Sequence, residues 1–277
     1  MRAIVVLALV ACDGGGDSDD SGGVSEERTL ENCGGDVAGD VPAFFSRYFA
    51  CTDISLDGDV VVLQTEDQPP HPSAYYIDGD PNHVAWDDRG GDYHQNPNTI
   101  LPQDITIRVP LAPVEKGITV TGDLVDQTAE TSAEEYRLGP IGVALDSVAL
   151  FTGTAAPGDD IDDEQWTFDT YLGHPAPNGA YHYHAPAPGP LAVLARAERE
   201  DIEIYGILCD GTLVLGCTEP DGSAAVATDF DAQNGHVHDL VDADGTDLFL
   251  DRYHVHLCET LGGDAYTPEI QYYGTCE

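Results

Sequence analysis

A chain of 277 residues is long enough for one large domain or two small ones, with a sizeable core. Its 51 acidic side chains stand against 10 basic ones, a formal net charge of −41. That balance excludes nucleic acid and anionic lipid as partners and favours cations, either as general counterions in a salty medium or at specific sites.

Residues 1–11 read as a leader. Arg2 gives a short positive start, and Ile4 to Val10 is an apolar run of signal-peptide length, too short to span a bilayer. No other stretch is long enough to span one. Leu9-Val10-Ala11-Cys12 resembles the bacterial lipobox, which implies cleavage before Cys12 and a lipid on its thiol; a plain secretory signal is the alternative. Residues 12–31 are rich in Gly, Ser, Asp and Glu and are expected to form a flexible acidic tether. Residues 32–277 are then a single folded body in the bacterial cell envelope, periplasmic or at the cell surface, touching membrane through the anchor alone. No protein partner is legible.

Cys33, Cys51, Cys209, Cys217, Cys258 and Cys276 are an even set in an exported chain, which argues for disulfides. Sequence does not choose among the pairings; the local one (Cys33–Cys51, Cys209–Cys217, Cys258–Cys276) is the expectation. No CxxC pair is present, so a cysteine zinc site is not expected.

Along the chain, Val37 to Phe49 allows a short helix, with Val41, Phe44, Phe45, Tyr48 and Phe49 as its apolar face; Arg196 to Asp201 is a weaker helix. Strands are expected at Val60 to Leu63, Ile105 to Val109, Ile118 to Val120, Ile141 to Leu150, Ile202 to Ile207 and Thr212 to Leu215. The fold class is therefore mostly β, a sandwich or barrel with long loops and few short helices. An internal repeat runs through residues 139–184 and 203–256. Gly142 to Leu150 aligns with Gly206 to Val214, each a strand, an Asp-led turn and a second strand. Gly173-His174 and Gly235-His236 follow, then Tyr181-His182-Tyr183-His184 and Tyr253-His254-Val255-His256. This order suggests two related halves about a pseudo-two-fold axis.

In a strand, alternate side chains share a face, so His182 and His184 lie together, about 6.5–7 Å apart along the backbone, with Tyr181 and Tyr183 opposite. Two such imidazoles can converge on one metal ion. Seven histidines fall in the repeats: His174, His182, His184, His236, His238, His254 and His256. Either each half holds its own three-histidine site, or the two His-x-His strands lie side by side and share one. Zinc or copper suits such donors. A polar β core in which these histidines only make hydrogen bonds is the alternative. Asp146 and Asp210 occupy matching turns and are either plain turn formers or carboxylates that accept the outer N–H of a ligand imidazole. His71, His83 and His94 read as surface loop residues. Calcium is possible at Asp242-Ala243-Asp244-Gly245-Thr246-Asp247 or at Asp53, Ser55, Asp57 and Gly58, although neither fits the EF-hand frame and turns explain both. The acidic run Asp159 to Glu164 reads as a solvated loop, or a weak cation site.

The segment Gly173-His174-Pro175-Ala176-Pro177-Asn178-Gly179-Ala180-Tyr181-His182-Tyr183-His184 resembles the core of the YHYH proteins. Gly139 to Asp146, Asn96 to Ile100, Val109 to Pro113, Tyr205 to Gly211 and Asn234-Gly235-His236 fit the same pattern, so the resemblance runs over roughly residues 60–276. Val255 stands where the family repeats Tyr, and Thr-Leu-Val-Leu-Gly follows Asp210-Gly211 in place of a Phe-Pro-Ile-Tyr-Gly-like run. The family implies export and names no reaction.

Three functions remain open. One is metal sequestration, sensing or delivery. Another is hydrolysis of a small or envelope-derived substrate by a metal-activated water, with Asp146, Asp210 or Asp239 as base. The last is a disulfide-stabilised structural or adhesive module. There is no Gly-x-Ser-x-Gly elbow, phosphate loop or dinucleotide fingerprint.

Overall fold

The computed structural model describes residues 26–125, 134–155, 160–261, 266–274 and 276. The expected leader and Cys12 lie outside them. Within the expected tether, Arg28 donates from Nε to the Gln68 carbonyl at 2.9 Å and Leu30 packs on the core, while Glu26, Glu27 and Glu31 are exposed.

A helix, α1 (Ala43–Tyr48), forms inside the expected window and buries Phe44, Phe45 and Tyr48. Pro42 precedes its first turn, where a missing N–H costs nothing. Next come β1 (Asp53–Asp57), β2 (Val60–Thr65) and β3 (Ile105–Pro110), an antiparallel sheet in that order. Gly58, at φ +64°, turns the β1–β2 hairpin. The aspartates of β1 hide a strand whose Ile54 is buried, and Asp57 pairs with the Arg108 guanidinium. Ile118 to Val120 forms no strand.

The remaining strands build one eight-stranded sheet. They are β4 (Gly142–Ala144), β5 (Ala149–Leu150), β6 (Gly173–Pro175), β7 (Tyr181–Tyr183), β8 (Ile204–Leu208), β9 (Leu213–Leu215), β10 (Gly235–Val241) and β11 (Asp247–His256). Helices α2 (Gly122–Val125), α3 (Ile161–Glu164) and α4 (Pro188–Arg196) lie between them. The fold is mostly β, with two sheets sharing one hydrophobic cluster, sandwich-like and with no closed barrel among the described residues. Helix α4 ends where the weaker helix was expected to begin. Pro188 and Pro190 look like loop residues in sequence, but proline is tolerated in a first turn.

The order β10-β11-β9-β8-β4-β5-β7-β6 reads the same from either end when β4 is exchanged with β8, β5 with β9, β7 with β11 and β6 with β10. Pairing senses match too: β4–β5 and β8–β9 are antiparallel, and β5–β7 and β9–β11 are parallel. The axis passes through the Val143–Ile207 pair, because Gly142 faces Leu208 and Ala144 faces Gly206. The outer hairpins place His174 opposite His182 and His236 opposite His254.

The disulfides are Cys33–Cys51, Cys209–Cys276 and Cys217–Cys258. The local pairing therefore fails for four cysteines. Cys209 lies at the turn of the β8–β9 hairpin and Cys217 beyond its open end, a strand length apart. The Asp242 to Asp247 loop is not free for calcium: Arg47 and Arg199 both bond Asp242, and Arg47 also holds Asp244 at 3.0 Å and Thr246 at 2.9 Å. Two guanidinium groups already neutralise these carboxylates.

The glycines at the centre of the sheet allow close backbone approach. A Cβ on Gly206 would sit 2.3 Å from the Val143 carbonyl oxygen, and one on Gly142 would sit 2.4 Å from that of Ile207. Gly206→Ala should therefore cost about 1–3 kcal/mol through forced strand separation. Denaturant unfolding measures this, and an unchanged midpoint would show that the central pair tolerates spreading.

Candidate metal centre

The β6–β7 hairpin turns at Asn178-Gly179, and Gly179 adopts φ +87° there. Alternation along β7 sends His182 and His184 to one face, and the register brings His174 across to them. The Nε2 atoms of His174 and His182 are 3.0 Å apart, and those of His182 and His184 are 2.9 Å apart. Each Nδ1 faces outward. His182 Nδ1 donates to the Ala180 carbonyl at 3.1 Å and His184 Nδ1 to that of Thr152 at 2.5 Å. Thr167 Oγ1 donates its own proton to the Glu164 carbonyl at 2.9 Å, so it accepts from His174 Nδ1 at 2.5 Å.

Those acceptors fix the tautomers. A carbonyl can only accept, so the proton is on Nδ1 and each neutral ring turns a bare Nε2 lone pair inward. Burial keeps the rings neutral. His174 is lowered to about 3 by burial and then by His184, His184 to about 4 by burial, and His182 falls well below the ordinary value for the same reason. Phe151 stacks on His182 at 3.8 Å and Phe168 meets His174 edge-on at 4.9 Å, so water is kept away. Three bare lone pairs converging in a dry space repel one another unless a cation joins them. A zinc tetrahedron with bonds of about 2.0–2.1 Å has edges of about 3.3–3.4 Å, and square-planar copper somewhat less, so only small outward shifts are needed. Glu164 Oε1 lies 3.5 Å from His174 Nε2 and offers a fourth donor.

The second half repeats this construction. His236, His254 and His256 group with Glu219. His236 and His256 have Nε2 atoms 3.2 Å apart. His254 Nδ1 donates to the Arg252 carbonyl at 2.9 Å and His256 Nδ1 to that of Gly216 at 2.7 Å. Phe230 takes the place of Phe168, stacked on His256 and edge-on to His236. Glu219 reaches in with Oε1 at 3.3 Å from His256 Nε2 and Oε2 at 3.6 Å from His254 Nε2. His254 Nε2 and Glu219 Oε2 are buried without a hydrogen-bond partner. Burial also lowers His254, to about 4, against the pull of Glu219.

The seven expected histidines thus divide. His174, His182 and His184 form one cluster, and His236, His254 and His256 form the other. His238 stands at the rim of the second, its side chain 39% exposed and its Nε2 3.4 Å from Glu219 Oε1. One shared four-histidine site is ruled out by topology, since β5, β4, β8 and β9 separate β7 from β11.

Residues 108–229 match the family model described as YHYH protein. The chain contains a YHYH domain. The match is narrower than the resemblance over 60–276; it contains the first cluster and Glu219, while the other histidines of the second lie beyond it. Neither the curated proteins nor the solved structures gave a match.

On the tyrosine face of this YHYH domain, Asp146 and Asp210 bond elsewhere than to the imidazoles. Tyr183 donates to Asp146 at 2.9 Å, and Asp210 accepts from the backbone of Thr212 at 2.9 Å and of Tyr273 at 3.1 Å. The outer histidine nitrogens use backbone carbonyls and Thr167 instead. Of the three candidate bases only Asp239 borders the second cluster, and its Oδ1 accepts from the Asp251 backbone at 2.9 Å. His71 is buried rather than on the surface: it stacks on Tyr171 at 3.6 Å and its Nε2 is 2.9 Å from Tyr183 Oη. His94 is exposed and His83 partly so, as expected. Where Val255 replaces a tyrosine, the C-terminal Tyr272 stacks on Tyr253 at 3.9 Å and restores the aromatic layer.

Glu219 and Glu164 were not legible as ligands. Glu219 lies two residues after Cys217, and His256 two before Cys258; the disulfide between those cysteines brings the pair together. Only knowledge of the pairing would have revealed it. Glu164 closes an acidic run that looks solvated, yet its carboxylate turns toward His174.

Asp146 gives a pH prediction. Burial raises it to about 7 despite the Tyr183 hydrogen bond. The folded chain then keeps a proton that the unfolded chain releases near 3.8, so stability falls as pH rises from about 4 to about 7 and levels off above. The slope approaches about 1.4 kcal/mol per pH unit for one such group. Asp146→Asn should flatten that part of the profile in denaturant melts at graded pH; an identical slope would mean the carboxyl is ionised in the fold.

Proposed function

We propose that this protein is an extracytoplasmic metal-binding protein, anchored through Cys12, that holds one zinc or copper ion in each half of its pseudo-two-fold sheet. Sequestration, sensing or delivery of the ion is the role this supports. The observation that carries the reading is the set of three Nε2 atoms, 3.0 and 2.9 Å apart in sequence order, whose protons are fixed on the opposite ring nitrogens. A core that used these histidines only for hydrogen bonding would turn at least one N–H inward. The disulfides support an oxidising compartment. The neutral imidazoles of the first centre bind a metal near neutral pH without displacing a proton.

Metal content of the full chain, purified without a histidine tag, tests this. One ion per cluster is expected. His182→Ala/His184→Ala should remove one ion and His254→Ala/His256→Ala the other. A parent that takes up no stoichiometric zinc or copper on reconstitution would return the histidines to the fold alone and leave the surface-module reading.

Thr167→Val leaves the His174 Nδ1 proton without its acceptor. Zinc affinity of the first centre should drop about 10–100-fold in competition with a chelator. Parent-like affinity would mean that packing against Phe168 suffices to orient the ring.

A further inference from the structure

The two centres are built alike but are not equally accessible. All three ligands of the first are buried, and Phe151 and Phe168 wall them in. The second borders a surface cleft of about 420 Å³, whose lining includes Glu219, Asp221, Asp229, His236, His238 and Asp239. The first half has Ala176 at the position of His238, two residues beyond the first histidine of the hairpin. His238 therefore has no counterpart in the closed centre.

We propose that the second centre is an exchange port for a transition-metal cation, with His238 as the ligand that captures the ion at the cleft and Glu219 as the ligand that carries it inward, while the first centre keeps a resident ion. This rests on the metal-binding reading. His238 Nδ1 faces the Asp239 carbonyl at 2.8 Å, which leaves its Nε2 turned toward Glu219 Oε1, 3.4 Å away. The same oxygen lies 3.3 Å from His256 Nε2, and the other carboxylate oxygen faces the buried, unpartnered His254 Nε2. One carboxylate thus spans from the exposed imidazole to the buried ones. An ion bound by His238 and Oε1 can move to His236, His254 and His256 without leaving Glu219, so no fully dehydrated intermediate has to form. The acidic rim concentrates cations and repels carboxylate or phosphate compounds. The ligand class is accordingly a bare or hydrated d-block cation that accepts nitrogen and oxygen donors.

The experiment is zinc release from the loaded full chain to a chromophoric chelator. Two phases are expected, one fast from the second centre and one slow from the first. His238→Ala, at an exposed position, should slow the fast phase about tenfold and leave the slow phase alone. Asp221→Asn/Asp239→Asn should slow zinc loading by about tenfold at low salt and flatten its salt dependence. His182→Ala/His184→Ala should delete only the slow phase. A single phase for both ions, or a fast phase unaltered in His238→Ala, overturns the exchange port while leaving metal binding intact. No stoichiometric zinc or copper at all overturns both readings.

Discussion

Imidazole lone pairs that face one another in a dry interior set the terms for the rest of this structure. Five of the six are aimed by the hydrogen bond on the far side of the ring: to Thr167, Ala180 and Thr152 in one half, and to Arg252 and Gly216 in the other. A buried polar atom without a partner costs about 1–3 kcal/mol, and facing lone pairs add repulsion. The antiparallel register makes this unavoidable, because it sets His174 against His182 and His236 against His254. The phenylalanines deepen the cost by excluding the water that would otherwise satisfy the nitrogens. Such an arrangement is coherent when a cation supplies the missing partner, and burial then strengthens each bond by keeping competing water out.

The pseudo-two-fold explains why the ligand geometry occurs twice. Beyond the histidines, it carries the supporting groups. Asp169 accepts from Tyr181 and from the Gly173 backbone, as Asp231 accepts from Tyr253 and from the Gly235 backbone. Leu172 and Asn234, each just before a Gly-His pair, both have φ +59°. A left-handed residue is costly away from glycine, so its presence at both corners marks a constraint imposed by the hairpin. A Cβ on Gly173 or Gly235 would strike the ring of Tyr181 or Tyr253. The halves depart from each other at Ala176 and His238, and in the loops that deliver Glu164 and Glu219.

Much of this was readable from short-range pattern. Alternation in Tyr181-His182-Tyr183-His184 gave the face shared by the imidazoles, and the repeated order of hairpin, Gly-His and His-x-His pointed to paired halves. The readable parts depend on residues near one another in sequence. What escaped depends on distant chain segments meeting. Glu219 becomes a neighbour of His256 through the Cys217–Cys258 bond. His71 looks like a loop residue between prolines until Tyr171 and Tyr183 close over it. Asp242 and Asp244 resemble a calcium loop until Arg47 and Arg199 arrive from α1 and the segment after α4. Strand β1 was obscured by aspartates that point outward while Ile54 enters the core.

The palindromic strand order also determines what the sheet shows to other molecules. Its two outermost strands are β6 and β10, and each carries a histidine of its centre. An open sheet edge is a template for a further strand and so for self-association. Strand β6 is only three residues long and ends in Pro175, which has no N–H to offer. Strand β10 has register shifts between His238 and Val241 and exposes Asp239 there. Both edges are thus blunted at the strands that bring the imidazoles together, so the hairpins that make the centres also keep neighbouring copies from aligning into fibrils.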